Sequence, residues 1–160
     1  MNIKMTLIGK LQRDGARRIR LSLRKGNDVL ELTPRKICPD FDKWPDSWEG
    51  VPEDLEYGRK LLGIFEPFCE DLIKSGQAKR TIRRHMDNLW ILGGELIRDI
   101  NEDEQWRNRP VMDLIMEEVT EYEGPYCRHL ESESEMNSFD ATCRKLYKFL
   151  VRRSNENRTQ

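Results

Sequence analysis

Gly76-Gln77-Ala78-Lys79-Arg80-Thr81-Ile82-Arg83-Arg84-His85-Met86-Asp87-Asn88-Leu89-Trp90 is the stretch that organises this chain. Gly76 stops one helix, and the next begins with Lys79, Arg80, Arg83 and Arg84 crowded into its first turns. The amino end of a helix carries partial positive charge, so cations are disfavoured there. A sequence that accepts this cost at four positions points to an anion to bind. Ile82, Met86, Leu89, Gly93, Leu96 and Ile100 follow at helical spacing and predict a helix over 79–100 with that set facing inward.

A second basic helix lies near the other end. An Asn137 or Ser138 cap with Asp140 in the first turn starts it, and Phe139, Cys143, Leu146, Tyr147 and Leu150 form its inner stripe. Arg144, Lys148 and Arg152 recur at every fourth position, with Lys145 beside them. Between and before these two lie two more helices. One spans 52–75, opened by Pro52 and closed by Gly76, with Leu61, Phe65, Phe68, Cys69 and Leu72 inward. Pro67 inside it predicts a kink or a split. The other begins near Pro110 and uses Val111, Leu114, Ile115, Val119 and Tyr122 before Gly124-Pro125. The adjacent Gly93 and Gly94 cost about 1 kcal/mol each in a helix interior. They imply that another backbone passes very close, or that the helix breaks.

The first 36 residues read differently. Ile3, Met5, Leu7 and Leu11 share one parity. Arg18-Ile19-Arg20-Leu21-Ser22-Leu23-Arg24 alternates with period two, and Val29-Leu30-Glu31-Leu32-Thr33 follows a Gly26-Asn27-Asp28 turn. This pattern predicts a small three-stranded antiparallel β-meander over 1–36; a helix over 15–25 is the competing reading. Arg18, Arg20 and Arg24 would share one strand face, and a basic ribbon of that kind can enter a major groove. Residues 37–51, with Pro39, Pro45, Trp44 and Trp48, read as an ordered linker. The expected organisation is α+β: a meander over 1–36, the linker over 37–51, a four-helix domain over 52–153 and a frayed polar tail over 154–160.

Apolar residues make up 37% of the chain and charged residues 36%, which fits helices with long solvated faces better than a doubly buried sheet. No apolar run reaches the roughly 20 residues that cross a bilayer, and the N-terminus lacks a signal-peptide core. The expectation is a cytoplasmic protein with no membrane role. The net charge of −1 conceals blocks: +7 over 1–36, −6 over 37–76, +2 over 77–100, −9 over 101–140 and +5 over 141–160. Such blocks either serve different partners or neutralise one another. Cys38, Cys69, Cys127 and Cys143 are too dispersed for a Cys-x-x-Cys pair, so reduced, partly buried thiols are expected and neither metal nor cofactor is.

The run from Phe65-Glu66-Pro67-Phe68 to Gly76, then Thr81-Ile82-Arg83-Arg84-His85 and Leu89, resembles the core-binding domain of tyrosine recombinases and phage integrases. The resemblance covers roughly residues 58–152, with the segment from Ser138 to Leu150 in the place of that domain's closing helix. Two positions depart from the family: Ala78-Lys79 stand where Ser followed by Pro is usual, and His85 replaces an aromatic residue. No counterpart of the catalytic domain stands in the 160 residues. The resemblance therefore implies a non-catalytic, SAM-like helical DNA-binding module, such as an accessory or regulatory factor of a mobile element. The N-terminal meander looks like the small arm-binding domain of some integrases, by fold analogy alone.

On this reading Lys79, Arg80, Arg83 and Arg84, with Arg144, Lys145, Lys148 and Arg152, grip the phosphates of double-stranded DNA, and Arg18, Arg20 and Arg24 add a third element. The alternative is that these cations are solvated or paired with acids of the −9 block. His85 and Tyr147 fall on or beside apolar stripes and read as packed residues. Glu117, Glu118 and Glu121, with Glu95 and Asp99, lack the Glu-x-x-His pairs of a di-metal bundle. They read as a solvated acidic face, which offers a second surface to a protein partner. No nucleophile–base spacing suggests an enzyme.

Overall fold

The computed structural model describes residues 31–160, of which Leu32–Gln160 form one compact unit. Every regular element among them is helical. Short α1 (Pro34–Ile37) leads through a 3-10 turn (Phe41–Lys43) into short α2 (Trp44–Trp48). Long α3 (Asp54–Lys74) and α4 (Lys79–Glu102) follow, then a second 3-10 turn (Glu104–Asn108), α5 (Val111–Glu118) and α6 (Glu133–Arg158). The α+β expectation is overturned: the fold is helical, with no strand among the described residues. The reason is visible where the third expected strand reaches them. Thr33 is extended, but its hydroxyl accepts from the Lys36 amide and Pro34 takes the first helical position, so Thr33-Pro34 starts a helix. The rest of the expected meander, with Arg18, Arg20 and Arg24, lies outside the described residues.

Residues 37–51 do not merely connect. Ile37, Cys38, Phe41, Trp44 and Trp48 are buried in the main core with Phe65, Phe68, Leu89 and Phe139. Trp48 explains the double glycine. Its indole lies over Gly93 so closely that a Cβ there would sit 2.1 Å from Cζ2. Its Nε1 donates to the Trp90 carbonyl at 2.9 Å, and Trp90 Nε1 donates to Ser47 Oγ at 2.8 Å. Helix α4 therefore runs unbroken through Gly93-Gly94, and what passes close is an aromatic side chain, not the expected backbone.

Asp54, fully buried at the start of α3, ties three segments together. It accepts from the amides of Gly50 and Val51, from Asn101 Nδ2 at 3.0 Å and from Arg107 Nη2 at 2.8 Å. At the other end, α3 closes as expected at Ser75 and Gly76, whose φ of +74° suits glycine. The helix is not split at Pro67.

Helix α6 differs most from its expected bounds. It begins at Glu133, capped by Ser132 in a reciprocal box with Glu135. Asp140 is not in its first turn; it sits two turns in and accepts from the Gly124 amide at 3.1 Å. The helix continues to Arg158, through most of the stretch expected to fray. Tyr122, expected inside α5, lies beyond it and is 72% exposed.

Candidate nucleic-acid interface

The seam between α4 and α6 is polar at its centre. His85 is buried, and its Nδ1 lies 2.7 Å from Thr142 Oγ1. Asn88 Nδ2 donates to Thr142 Oγ1 at 2.9 Å and to the Ser138 carbonyl at 3.0 Å. The pairing of residue 85 with 142 and of 88 with 138 sets the helices antiparallel, so the N-terminal turns of α4 lie against the middle of α6. Two basic clusters far apart in sequence are thereby brought to one side of the molecule.

His85 reports how close they are. Burial, then the neighbouring Lys145 and Arg84, push its pKa down to about 4, so the ring is neutral at physiological pH. Arg84 precedes His85 on α4, and Lys145 lies one turn after Thr142, the histidine's partner, on α6. Arg80 lies one turn before Arg84 and Lys148 one turn after Lys145, and all four side chains are exposed. None of the four, nor Lys79, has an ion pair among the described residues. At the start of α4, Ala78 provides no side-chain cap and the first turn holds no acid.

The other expected contacts divide. Arg83 donates to Asp87 at 2.8 Å and to the Ile37 carbonyl at 3.0 Å, which leaves it a structural tie between α4 and α1. Arg152 pairs with Asp71 at 2.8 Å and stacks on Phe149. Arg144, half-buried one turn before Lys148, donates to the Tyr122 carbonyl at 2.9 Å. The eight expected cations of these two helices therefore reduce to a nucleus of Arg80, Arg84, Lys145 and Lys148, with Lys79 at its edge. The sequence reading missed His85 as the residue around which the patch assembles. Its only signal was its place at the border of the apolar stripe.

Asp87, paired with Arg83, stands one turn past Arg84; the other acids of α4 lie in its far half. Glu95, buried at the far half of α4, pairs with Arg98 at 2.5 Å and accepts from Cys127 Sγ at 3.3 Å. Burial, then Glu118, raise the pKa of Asp99 to about 6, and burial with Glu117 raises that of Glu118. Arg84 and Asp99 are 15 residues apart on one helix, about 22 Å at 1.5 Å per residue. That exceeds the ~8–10 Å over which salt screens surface charge, so the acidic end does not cancel the basic one. Cys38, Cys69, Cys127 and Cys143 are all buried and unbonded, and burial pushes each thiol up. Among the described residues no group of His, Cys, Asp and Glu is arranged to hold a metal ion, and no helix is long and apolar enough to cross a membrane. No family model matches the chain, and neither a curated protein nor a solved structure is significantly similar to it.

Proposed function

We propose that this protein binds double-stranded DNA through the phosphate backbone and does no chemistry on it. The observation that carries the reading is the 2.7 Å contact of His85 with Thr142 across the seam of α4 and α6, with unpaired Arg84 next to His85 in the chain and unpaired Lys145 one turn after Thr142. It makes two sequence-distant clusters into one exposed cationic strip. Arg80 and Lys148 extend the strip outward, and the uncapped amides of α4 add donors of the same polarity. The likeness of residues 58–152 to an integrase core-binding domain supports the same reading and suggests an accessory or regulatory role at a mobile element.

Fluorescence anisotropy with a random-sequence duplex at low salt tests it. Binding should weaken linearly on a log–log salt plot, and Arg84→Glu with Lys145→Glu should lower the slope by about 0.9 for each phosphate no longer neutralised. Failure of every duplex to bind near ~50 mM salt refutes the proposal. The acidic end of α4 with α5 supports a second reading, a protein-interaction module. In that case a basic protein partner docks at Asp99, Glu102 and Glu118 and the cationic strip is only a solvated face. Charge reversal at Glu102 and Glu118 would then abolish partner binding while reversal at Arg84 leaves it intact.

A further inference from the structure

Two exposed features share one face of α6. Arg144, Tyr147, Val151, Ser154 and Arg158 recur at three- and four-residue intervals, so they form a single stripe along it. At its first end sits a knuckle, residues 120–126. Thr120 Oγ1 accepts from the amides of Tyr122 and Glu123, the Thr120 amide donates to the Glu123 carbonyl, and Asp140 and Arg144 of α6 hold Gly124 and Tyr122. A Cβ on Gly124 would lie 2.4 Å from Cys143 Sγ, so the knuckle is pressed onto α6. From this fixed base it presents Tyr122 and Tyr126, 72% and 82% exposed, with Glu121 and Glu123 beside Tyr122. Tyr122 lies near Tyr147, which helps raise its pKa after Glu121.

At the second end of the stripe is a groove of about 570 Å³ between α3, α5 and α6. Ile64 and Pro67 form one wall and the half-exposed Met112 and Met116 the other; a Cβ on Gly63 would meet nothing within 4 Å. Methionine walls adapt to an inserted side chain. Among the described residues, the charged ones lining this groove are both cations, Arg153 and Arg158. The knuckle is aromatic and acidic, and the groove is apolar and basic. Neither finds its complement within the described residues, and rigid exposed aromatics of this kind mark contact surfaces.

We propose that a second copy of this chain fills the groove. The knuckle of one protomer enters the groove of its partner and the reverse, about a two-fold axis crossing α6 between Tyr147 and Val151. Because knuckle and groove lie on one stripe on either side of that point, one rotation satisfies both contacts. The assembly closes as a dimer and does not propagate. Glu121 and Glu123 then face Arg153 and Arg158 of the other protomer, and the tyrosines lie against the methionines.

Sedimentation velocity of the full chain, from low micromolar to several hundred micromolar, tests this. The expected result is a mass that rises with concentration from 19.1 kDa toward twice that value. Met116→Glu, and separately Tyr122→Ala with Tyr126→Ala, should weaken dimerisation at least about tenfold. Glu123→Arg and Arg153→Glu should each weaken it, and the two together should restore it. All these side chains are at the surface, and circular dichroism verifies that each variant keeps its helices. A single 19.1 kDa species at every concentration, or a dimer that none of these substitutions moves, overturns the proposal.

Discussion

Asp54 shows what one residue decides here. Burial alone would raise its pKa, but donors from Asn101, Val51, Gly50 and Arg107 outweigh burial and hold it below the usual carboxylate range. Its folded value is depressed, so its stabilisation is complete above the unfolded value of about 4 and is lost as pH falls through the folded value. Asp54→Ala should cost about 3 kcal/mol or more, because it strands Arg107 and two amides; urea denaturation at neutral pH reads this. His85 and Asp99 act at milder pH with opposite signs. The His85 pKa is lowered from 6.5 to about 4, so its contribution is full above 6.5 and is lost as pH falls toward 4. The Asp99 pKa is raised to about 6, so its charged form weakens the fold above 6 and the fold gains as pH falls from 6 toward 4. The two trends offset in the wild type. Asp99→Asn should stabilise the protein at pH 7 by about 1–2 kcal/mol and leave the acid-side loss from His85 exposed. Denaturation midpoints at pH 7 and pH 5 for wild type, Asp99→Asn and His85→Gln would separate them.

Among elements, α4 separates helix propensity from packing. Alanine is favoured over glycine by about 1 kcal/mol in a helix interior. At Gly94 the added methyl would lie 3.5 Å from Trp48 Cδ1, an ordinary contact, so Gly94→Ala should stabilise by about 0.5–1 kcal/mol. At Gly93 it would overlap the Trp48 ring, so Gly93→Ala should destabilise by about 2 kcal/mol despite the better propensity. A pair of thermal melts decides it, and equal shifts in both variants would remove Trp48 as the reason for the double glycine. Helix α6 carries a different lesson about boundaries. The box of Ser132 and Glu135 is a legible start signal. The apolar stripe begins only at Phe139, however, and periodicity alone starts the helix there, two turns late. The helix also runs on past its last buried residue, Leu150. Arg152 and Arg153 lie over the Phe149 ring, contacts between residues that a polar composition does not reveal.

At the scale of the whole molecule, the unpaired cations and most of the acids of α4 fall toward opposite ends of that helix. Unpaired cations at the start of α4 and acids in its far half mean that local charge differs from the net charge of −1. Binding should therefore depend on local substitutions far more than on net charge. Reversing Lys145 should weaken DNA binding several-fold, whereas reversing Arg144, already held by the Tyr122 carbonyl, should leave it within about twofold at the same salt. Equal effects of the two in anisotropy titrations would dissolve the strip as a distinct site.

Helical periodicity and the stop at Gly76 were enough to place α3 and α4, and Gly93-Gly94 marked a close approach within α4, because those signals are local. The sequence also named the basic residues of the strip. Which of them remain available was decided only in three dimensions. Arg83, Arg144 and Arg152 carry the same charge as Arg84 and Lys145 but meet Ile37, Tyr122 and Asp71, partners 46, 22 and 81 residues away. The same holds for residues 37–51, where two tryptophans join the core because Gly93 leaves room for one of them. Periodicity records how a residue sits on its own helix. Partnership depends on which helices meet, and that is set by packing between segments distant in the chain.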